Sequence, residues 1–155
     1  MTEAQFYSKL EYNKVKCELC PHNCIIQSGN IGICRARKNI DGVLYATNYG
    51  KTITISIDPM EKKPLYHFHT GKNIISVGSN SCNLSCKFCQ NYHSSQLEVP
   101  TMEITPTNLL KQCKIHECNF VAFTYTEPTT WFEFILESSK LLYKNGIKTV
   151  MVTNG

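Results

Sequence analysis

In this chain of 155 residues, the spacing of apolar and polar positions differs before and after residue 71. After residue 71, short apolar runs alternate with longer segments in which apolar side chains recur every three or four positions, the spacing of one helix face. The runs predict strands at residues 73–77, 120–124 and 149–153. Strands that alternate with helices in a βαβαβ order are typical of an α/β fold with a parallel sheet.

A helix is predicted before the second strand and another before the third. The first begins with Thr105 as N-cap and Pro106 at its first position, because a threonine oxygen accepts a bond from a free helical N–H and proline has no N–H to satisfy. The second ends at Asn145 and Gly146, residue types expected just beyond a helix. The predicted buried faces consist of Leu109, Leu110 and Cys113 in the first helix and Trp131, Phe134, Ile135, Ser138, Leu141 and Leu142 in the second.

The segment before residue 71 has a different pattern, with short strands in place of helices. Residues 42–47 and 52–57 predict two strands around a turn at residues 48–50, and the second strand alternates with period two. Asp58-Pro59 ends that strand, because proline cannot donate to a sheet. We therefore expect a β-hairpin in this part of the chain.

A polar loop follows the predicted hairpin and carries two histidines, His67 and His69. A histidine pair is weak evidence for catalysis, so we expect both to pack or to face solvent. The loop ends near Gly71, where the apolar run of the first core strand begins. We place a domain boundary there, which gives an N-terminal region of residues 1–71 and a core of residues 72–155.

The number of cysteines indicates the class of protein. There are nine of them, yet the chain begins without an apolar signal segment and contains no apolar run long enough to span a membrane. Short-spaced cysteines in a reducing compartment are better explained as metal ligands than as disulfides, so we expect a cytoplasmic metalloprotein. The net charge is +4 without a dense Lys/Arg block, so we expect neither a nucleic-acid nor a membrane partner.

Three cysteines, Cys82, Cys86 and Cys89, lie within one short segment after the first core strand. Three thiolates can hold a 4Fe-4S cluster by three of its irons and leave the fourth iron open, whereas an electron carrier normally closes all four positions. The segment therefore predicts chemistry at the cluster. The alternatives are a zinc site with three of its ligands here, or a loop of free thiols.

A second group is Cys17, Cys20, Cys24 and Cys34, which predicts a closed site with four thiol ligands. Structural zinc and an auxiliary 4Fe-4S cluster both fit the sequence, and unligated cysteines are the third reading. His22 could replace one thiol as a ligand. Three cations follow directly and would lower the pKa of adjacent thiols, or form a solvated basic patch; they are Arg35, Arg37 and Lys38.

The two remaining cysteines, Cys113 and Cys118, match neither spacing, and we interpret them as core thiols. The parallel order also makes a prediction about the site itself, because parallel strands carry their active sites at the carboxyl ends. Cys82 follows the first core strand, Glu127 the second and Asn154 the third. We therefore expect these three positions to lie on one face of the sheet.

The cysteine segment, with spacings of three and two residues and Phe88 just before the last cysteine, resembles the signature of the radical S-adenosylmethionine (SAM) superfamily. The resemblance implies that SAM chelates the open iron through its amino and carboxylate groups. Members that activate glycyl-radical enzymes carry Gly-Gly-Glu-Pro after the second strand, where this chain has Tyr125-Thr126-Glu127-Pro128. The resemblance implies that Glu127 and the backbone of Tyr125 and Thr126 receive the SAM amino group. Phe88 and Tyr125 are candidates to wall the site, with core packing as the alternative.

After the third strand the same members often read Asp-Thr-Asn-Gly, and this chain has Val152-Thr153-Asn154-Gly155, so the resemblance extends to Asn154 without the aspartate. Within the superfamily the chain is most similar to the radical SAM component of the AmmeMemoRadiSam system, a relative of the pyruvate formate-lyase activating enzymes. That similarity is carried by residues 20–22, 32–35, 58–68 and 89–91. It implies a Memo-like protein and an AMMECR-type domain as partners.

The resemblance also implies the reaction. A reduced ferredoxin or flavodoxin would supply one electron, and SAM would be cleaved reductively to methionine and a 5'-deoxyadenosyl radical. The radical would abstract hydrogen from a substrate, with the glycyl Cα of a partner protein as one candidate. The alternatives from other classes are a non-catalytic zinc- or iron-sulfur-binding module, a ferredoxin-like carrier and an RNA-modifying radical SAM enzyme.

Superfamily barrels have about six βα units of roughly 30 residues each, whereas only three core strands are predicted here. We therefore expect the chain to be the N-terminal half of a partial (β/α)6 barrel, truncated after its third strand and preceded by the small cysteine-rich region. On that expectation the segment alone is an incomplete enzyme.

Overall fold

The computed structural model describes residues Met1–Gly155, and its N-terminal part is built from short antiparallel strands. Two small sheets form here, one in the order β1-β6-β5 and the other in the order β2-β3-β4. Strand β7 pairs instead with a later strand. The strands of this part are β1 (Thr2–Glu3), β2 (Tyr7–Lys9), β3 (Val15–Cys17), β4 (Ile25–Ile26), β5 (Arg37–Ile40), β6 (Val43–Ala46) and β7 (Lys51–Thr52).

A four-stranded sheet and the helices that pack on it form the rest of the protein. The sheet order is β12-β11-β9-β8, in which β9, β11 and β12 are parallel and β8 runs antiparallel along β9. None of the helices has the length and apolar content needed to cross a membrane. The elements are β8 (Thr54–Pro59), β9 (Asn73–Gly78), α1 (Tyr92–Gln96), β10 (Met102–Glu103), α2 (Pro106–Ile115), β11 (Phe120–Phe123), α3 (Phe132–Lys144) and β12 (Lys148–Met151).

The predicted α/β organisation with parallel strands is confirmed, and so are the two predicted helix boundaries. Thr105 accepts a hydrogen bond from Asn108 N at 3.1 Å, and Pro106 opens α2. Helix α3 ends before Asn145, and Gly146 takes a φ of 74°, a conformation that costs glycine little. Local signals sufficed here because caps and stops act within one turn.

The predicted pairing of residues 42–47 with residues 52–57 was wrong. Strand β6 pairs with β5 through a tight turn at Asp41-Gly42, whereas β8 pairs with β9 in the core sheet. A period-two pattern shows that one face of a strand is buried, but it does not identify the partner strand. One consequence is that the core sheet crosses the boundary placed near Gly71; the division into two domains stays a prediction.

The main core lies between the parallel sheet and helices α2 and α3. Trp131 stacks on Phe134 with ring centroids 4.2 Å apart, and both side chains are almost fully buried. Cys113 and Cys118 lie in the same core, at 2 % and 4 % exposure, which confirms them as core thiols. Burial raises the pKa of Cys113 to about 11, because a thiolate is poorly solvated among apolar side chains.

A buried ion pair joins the N-terminal sheets to this core. Arg37 on β5 donates to Glu133 on α3 at 2.7 Å, and the two side chains are only 1 % and 5 % exposed. The amide of Asn48 donates to Thr130 O at 2.9 Å, and the indole N–H of Trp131 donates to Asn48 O at 2.8 Å. The N-terminal sheets therefore dock on the start of α3 through polar contacts that are closed to water.

Candidate metal and cofactor site

The segment with Cys82, Cys86 and Cys89 forms a loop between β9 and α1, and all three cysteines are half-buried. Cys89 N donates to Cys86 O at 3.1 Å, which folds the second half of the loop into a turn. The sulfur of Cys89 lies 3.3 Å from the hydroxyl of Ser95 on α1. Phe88 is 90 % exposed, so its ring is free to meet a ligand and its predicted role stays a prediction.

The carboxyl ends of the three parallel strands meet beside this loop, as expected. Glu127 is only 2 % exposed, and its carboxylate accepts hydrogen bonds from Asn154 N at 2.8 Å and from Thr153 Oγ1 at 2.7 Å. The side chain of Asn154 donates to Asn83 Oδ1 at 3.0 Å, next to Cys82. The shared face is therefore confirmed, while the roles of these residues in binding SAM stay predictions.

Glu127 has a third hydrogen bond, because it caps the short 3-10 helix Pro128–Trp131 and accepts from Thr129 N at 2.8 Å. All three donors belong to the chain itself. The carboxylate thus ties the end of β12 to the start of the segment that leads into α3. Burial raises the pKa of the Cys82 thiol, and the negative charge of Glu127 raises it further.

Tyr125 takes a φ of 72°, the left-handed region that favours glycine. Its carbonyl accepts from Asn91 Nδ2 at 2.7 Å, and its hydroxyl donates to Asp58 Oδ2 at 3.2 Å. The ammonium of Lys63 lies 4.9 Å from the centre of its ring. These contacts hold a conformation that costs a non-glycine residue about 1–3 kcal/mol.

A glycine does appear opposite this strand end. A Cβ at Gly78 would lie 2.3 Å from Thr124 O, so only glycine lets β9 and the end of β11 approach this closely. Thr126, the next residue after Tyr125, donates its hydroxyl to Ser79 O at 2.7 Å. The two bulky residues are therefore accommodated by specific contacts.

Sequence reasoning missed the charged cluster under Tyr125. Asp58 on β8 pairs with Lys62 at 2.6 Å and with Lys63 at 2.7 Å, and Lys63 is itself buried. Burial alone would raise the pKa of Asp58, but the hydrogen bonds from the two lysines outweigh it and hold the pKa well below its ordinary value. The pairs therefore stabilise the fold above the ordinary aspartate pKa, and this contribution is lost only as the pH falls toward the lowered value.

The second cysteine group surrounds a small cavity between the β2-β3-β4 sheet and the 3-10 helix Pro128–Trp131. Its walls include all four cysteines of the group, together with His22, Arg37 and Thr130; the cysteines are Cys17, Cys20, Cys24 and Cys34. Burial raises the pKa of Cys17 and of Cys34, and the nearby charge of Arg37 acts in the opposite direction. Of the three cations expected here, Arg37 is the one that faces the thiols.

The two loop histidines lie away from both cysteine groups. The ring of His69 is 4.6 Å from that of Phe120, and its Nε2 is 2.9 Å from the ammonium of Lys148. His67 is exposed. The expectation that they pack or face solvent is confirmed.

Comparison with known proteins decides the family. The profile of the Radical SAM superfamily matches residues 76–155, which contain the Cys82 loop, Glu127 and Asn154. This chain belongs to the radical SAM superfamily. It is also 45 % identical over 158 residues to an uncharacterized protein of Methanocaldococcus jannaschii; the match covers 100 % of this chain and 47 % of that protein. The chain thus spans about half the length of this relative. No solved structure matches this chain.

Membership of the radical SAM superfamily implies a 4Fe-4S cluster and SAM as cofactors. No group of three His, Cys, Asp or Glu side chains is arranged around the position of a single ion. The fit to a cluster therefore rests on the donor set: three accessible thiols on one loop, which are the ligands that iron-sulfur clusters take. The four thiols around the N-terminal cavity fit a thiolate-bound metal or cluster on the same grounds.

Proposed function

We propose that this radical SAM protein cleaves SAM reductively and uses the 5'-deoxyadenosyl radical to abstract hydrogen from a substrate. The observation that carries the proposal is the convergence of the Cys82 loop, Glu127 and Asn154 at one end of a parallel sheet. In this arrangement Cys82, Cys86 and Cys89 hold the 4Fe-4S cluster. When bound, the cluster supplies the electron for the cleavage of SAM.

The residues of the chain position the cosubstrate and exclude water. Glu127 provides the negative charge for the SAM amino group, and its three hydrogen bonds fix the carboxylate before a ligand arrives, which reduces the cost of reorganisation. Asn154 and the backbone of Tyr125 and Thr126 complete the strand-end contacts. Phe88, exposed on the loop, would wall the site and help to exclude water once the cosubstrate is bound.

The N-terminal cavity holds a second thiolate-bound group, structural zinc or an auxiliary 4Fe-4S cluster. Because all four cysteines face one small cavity, we expect this group to stay out of contact with SAM. The two cysteine groups are the basis for the proposed division into residues 1–71 and a barrel core that begins at residue 72. The core strands β9, β11 and β12 correspond to the first three strands of a partial (β/α)6 barrel.

For substrate and partners, the proposal follows the motif similarities. The resemblance to the AmmeMemoRadiSam component supports a Memo-like protein and an AMMECR-type domain as partners. The clustered short-spaced cysteines support a reducing compartment, the cytoplasm, as the location. The similarity at Glu127-Pro128 to activating enzymes supports a glycyl Cα of a partner protein as the hydrogen donor. A reduced ferredoxin or flavodoxin is the electron donor.

The test is an anaerobic assay of a full-length protein that contains the remaining strands of the expected barrel. The protein is reconstituted with iron and sulfide and given dithionite and SAM, and 5'-deoxyadenosine is measured by chromatography. We expect Cys86→Ala to abolish the product. Glu127→Ala removes a charge-assisted contact of about 1.5–3 kcal/mol, so product formation should fall by roughly tenfold or more. Glu127→Gln keeps the size and one acceptor oxygen and should fall less. Full activity of Cys86→Ala, or none in the reconstituted full-length protein, would refute the proposal.

A further inference from the structure

The two cysteine groups contact each other through His22. Its Nε2 lies 2.7 Å from Asn83 O, the residue that follows Cys82. A carbonyl oxygen carries no proton, so Nε2 must be the donor and carry the hydrogen. His22 lies between Cys20 and Cys24 and also faces the N-terminal cavity. One hydrogen bond thus connects the wall of the N-terminal cysteine cavity, the closed site, to the Cys82–Cys89 loop, the open site.

A second contact comes from Arg35, the residue after Cys34. Its guanidinium donates to Ser95 O at 2.8 Å and also to Gln96 O, both on α1. Ser95 is the residue whose hydroxyl meets the sulfur of Cys89. Arg35 has a φ of 62°, so its backbone conformation is constrained beside a ligand candidate. His22 therefore contacts the start of the Cys82–Cys89 loop, and Arg35 contacts helix α1, which follows the loop and touches Cys89 through Ser95.

The loop depends on such contacts because its own side chains are largely outside the core. Leu84 is 42 % and Phe88 90 % exposed, and Ser85 and Lys87 are exposed as well. His22 and Arg35, which contact the loop and the helix after it, each lie within two residues of a cysteine of the closed site. A group bound to those cysteines would restrict the backbone that carries His22 and Arg35.

We infer that binding of a metal or cluster at the N-terminal cysteines positions the Cys82–Cys89 loop through His22 and Arg35, so that the two sites are coupled. The inference rests on the proposed function only in taking both cysteine groups as binding sites. His22 and Arg35 are positioning residues. Coupling of this kind is a difference in free energy between the loop with and without the remote ligand.

The experiment measures the loop while metal enters only the N-terminal site. In the Cys82/Cys86/Cys89→Ala variant, zinc(II) is added in one arm and iron(II) with sulfide, anaerobically, in the other. Bound metal is counted by native mass spectrometry, and amide hydrogen exchange is followed for residues 82–97. We expect binding in either arm to slow exchange in this segment about tenfold, within the usual range of coupling between sites.

The variants separate positioning from simple packing and from ligation. On the same background, His22→Ala and Arg35→Ala should each reduce the metal-dependent slowing, and the double variant should remove it. His22→Gln places an amide N–H near the position of Nε2 and should restore the effect, whereas it lacks the second ring nitrogen that a ligand role would need. His116→Ala and Lys38→Ala, which alter an exposed histidine and a neighbouring cation, should leave the slowing unchanged.

Three results would overturn the inference: bound metal with unchanged exchange in both arms, no metal binding in either arm, or His22→Ala and Arg35→Ala variants that respond like the background. None of these depends on SAM cleavage. Coupled exchange in the triple variant, combined with no 5'-deoxyadenosine formation by the reconstituted full-length protein, would instead refute the proposed reaction alone.

Discussion

The two cysteine groups use the same ligand chemistry in opposite settings. In the N-terminal group, Cys17 and Cys34 are buried, and the four thiols come from separated positions that a fold must bring together. In the Cys82 loop all three thiols lie within eight residues and stay partly accessible. A closed site retains its group, whereas an accessible one leaves room for a cosubstrate. The difference lies in where the backbone places the thiols.

The two cysteine groups also differ in the charge of the side chain next to them. Burial raises the pKa of thiols in both groups, but Arg37 opposes this effect at Cys17 and Cys34 while Glu127 adds to it at Cys82. Metal binding requires thiolates. The closed site therefore has a built-in cation that stabilises thiolates, and the open loop is placed beside a carboxylate suited to a cationic ligand.

The largest expected effect is on metal content. The Cys82/Cys86/Cys89→Ala variant should lose the metal or cluster bound at the Cys82 loop. It should keep the metal or cluster in the N-terminal cavity, because the two sites share no ligand. Metal analysis and visible absorption would then identify the retained group: iron with sulfide indicates a cluster, and zinc indicates a structural ion.

As a matched control, substitution of Cys113 and Cys118 by alanine should leave the metal content of both cysteine sites unchanged. If the triple variant lost all metal, the two groups would not be independent sites, and the comparison above would fail.

The next largest effect concerns the ion pair behind the closed site. Arg37→Met leaves Glu133 buried without its partner, so the free energy of unfolding should fall by about 3–5 kcal/mol. Urea denaturation of the metal-free protein measures it. Replacing both partners by apolar residues, as in Arg37→Met with Glu133→Leu, should recover much of the loss.

Lys16 provides the control, because its pair with Glu18 is 40 % and 43 % exposed. Lys16→Met should change stability by less than about 1 kcal/mol. Equal effects of Lys16→Met and Arg37→Met would show that the buried pair does not hold the N-terminal sheets to α3.

A smaller effect is expected at the strand end beside the open loop. Tyr125→Phe removes only the hydroxyl that donates to Asp58, so stability should fall by about 1 kcal/mol, with the backbone conformation retained. Tyr12→Phe is a matched control, since Tyr12 has a φ of 57° but is 85 % exposed. If the two substitutions cost the same, Asp58 would contribute nothing to holding Tyr125.

The smallest change is a difference in thiol reactivity. Alkylation requires a thiolate, and the pKa of Cys113 is raised to about 11. In metal-free native protein, iodoacetamide should therefore modify Cys86 and Cys89 first and Cys113 last, with the Cys113 rate still rising as the pH approaches 11. Peptide mass spectrometry reads out each site. Modification of Cys113 as fast as Cys86 at pH 8 would place it outside the core.

The sequence predicted those parts of the protein in which information is local. The caps of α2 and α3 and the Cys82 loop depend on residues close in the chain, and these were identified from their types and spacing. Strand β8 was assigned the wrong partner because its alternating pattern fits any neighbour. Asp58, Lys63 and Arg37 were missed as structural residues, since charged side chains are normally expected at the surface. The bond from His22 to Asn83 spans 61 positions and has no local signal.

Gly78 limits how this protein can vary over evolution. Any substitution there adds a Cβ that collides with Thr124 O, and the strand end that would have to move is the one leading to Glu127. The position of the Glu127 carboxylate therefore depends on a residue whose only side chain is a hydrogen atom. A library randomised at position 78 should yield folded clones that almost all encode glycine. Position 125, where a tyrosine occupies a left-handed conformation, should tolerate glycine.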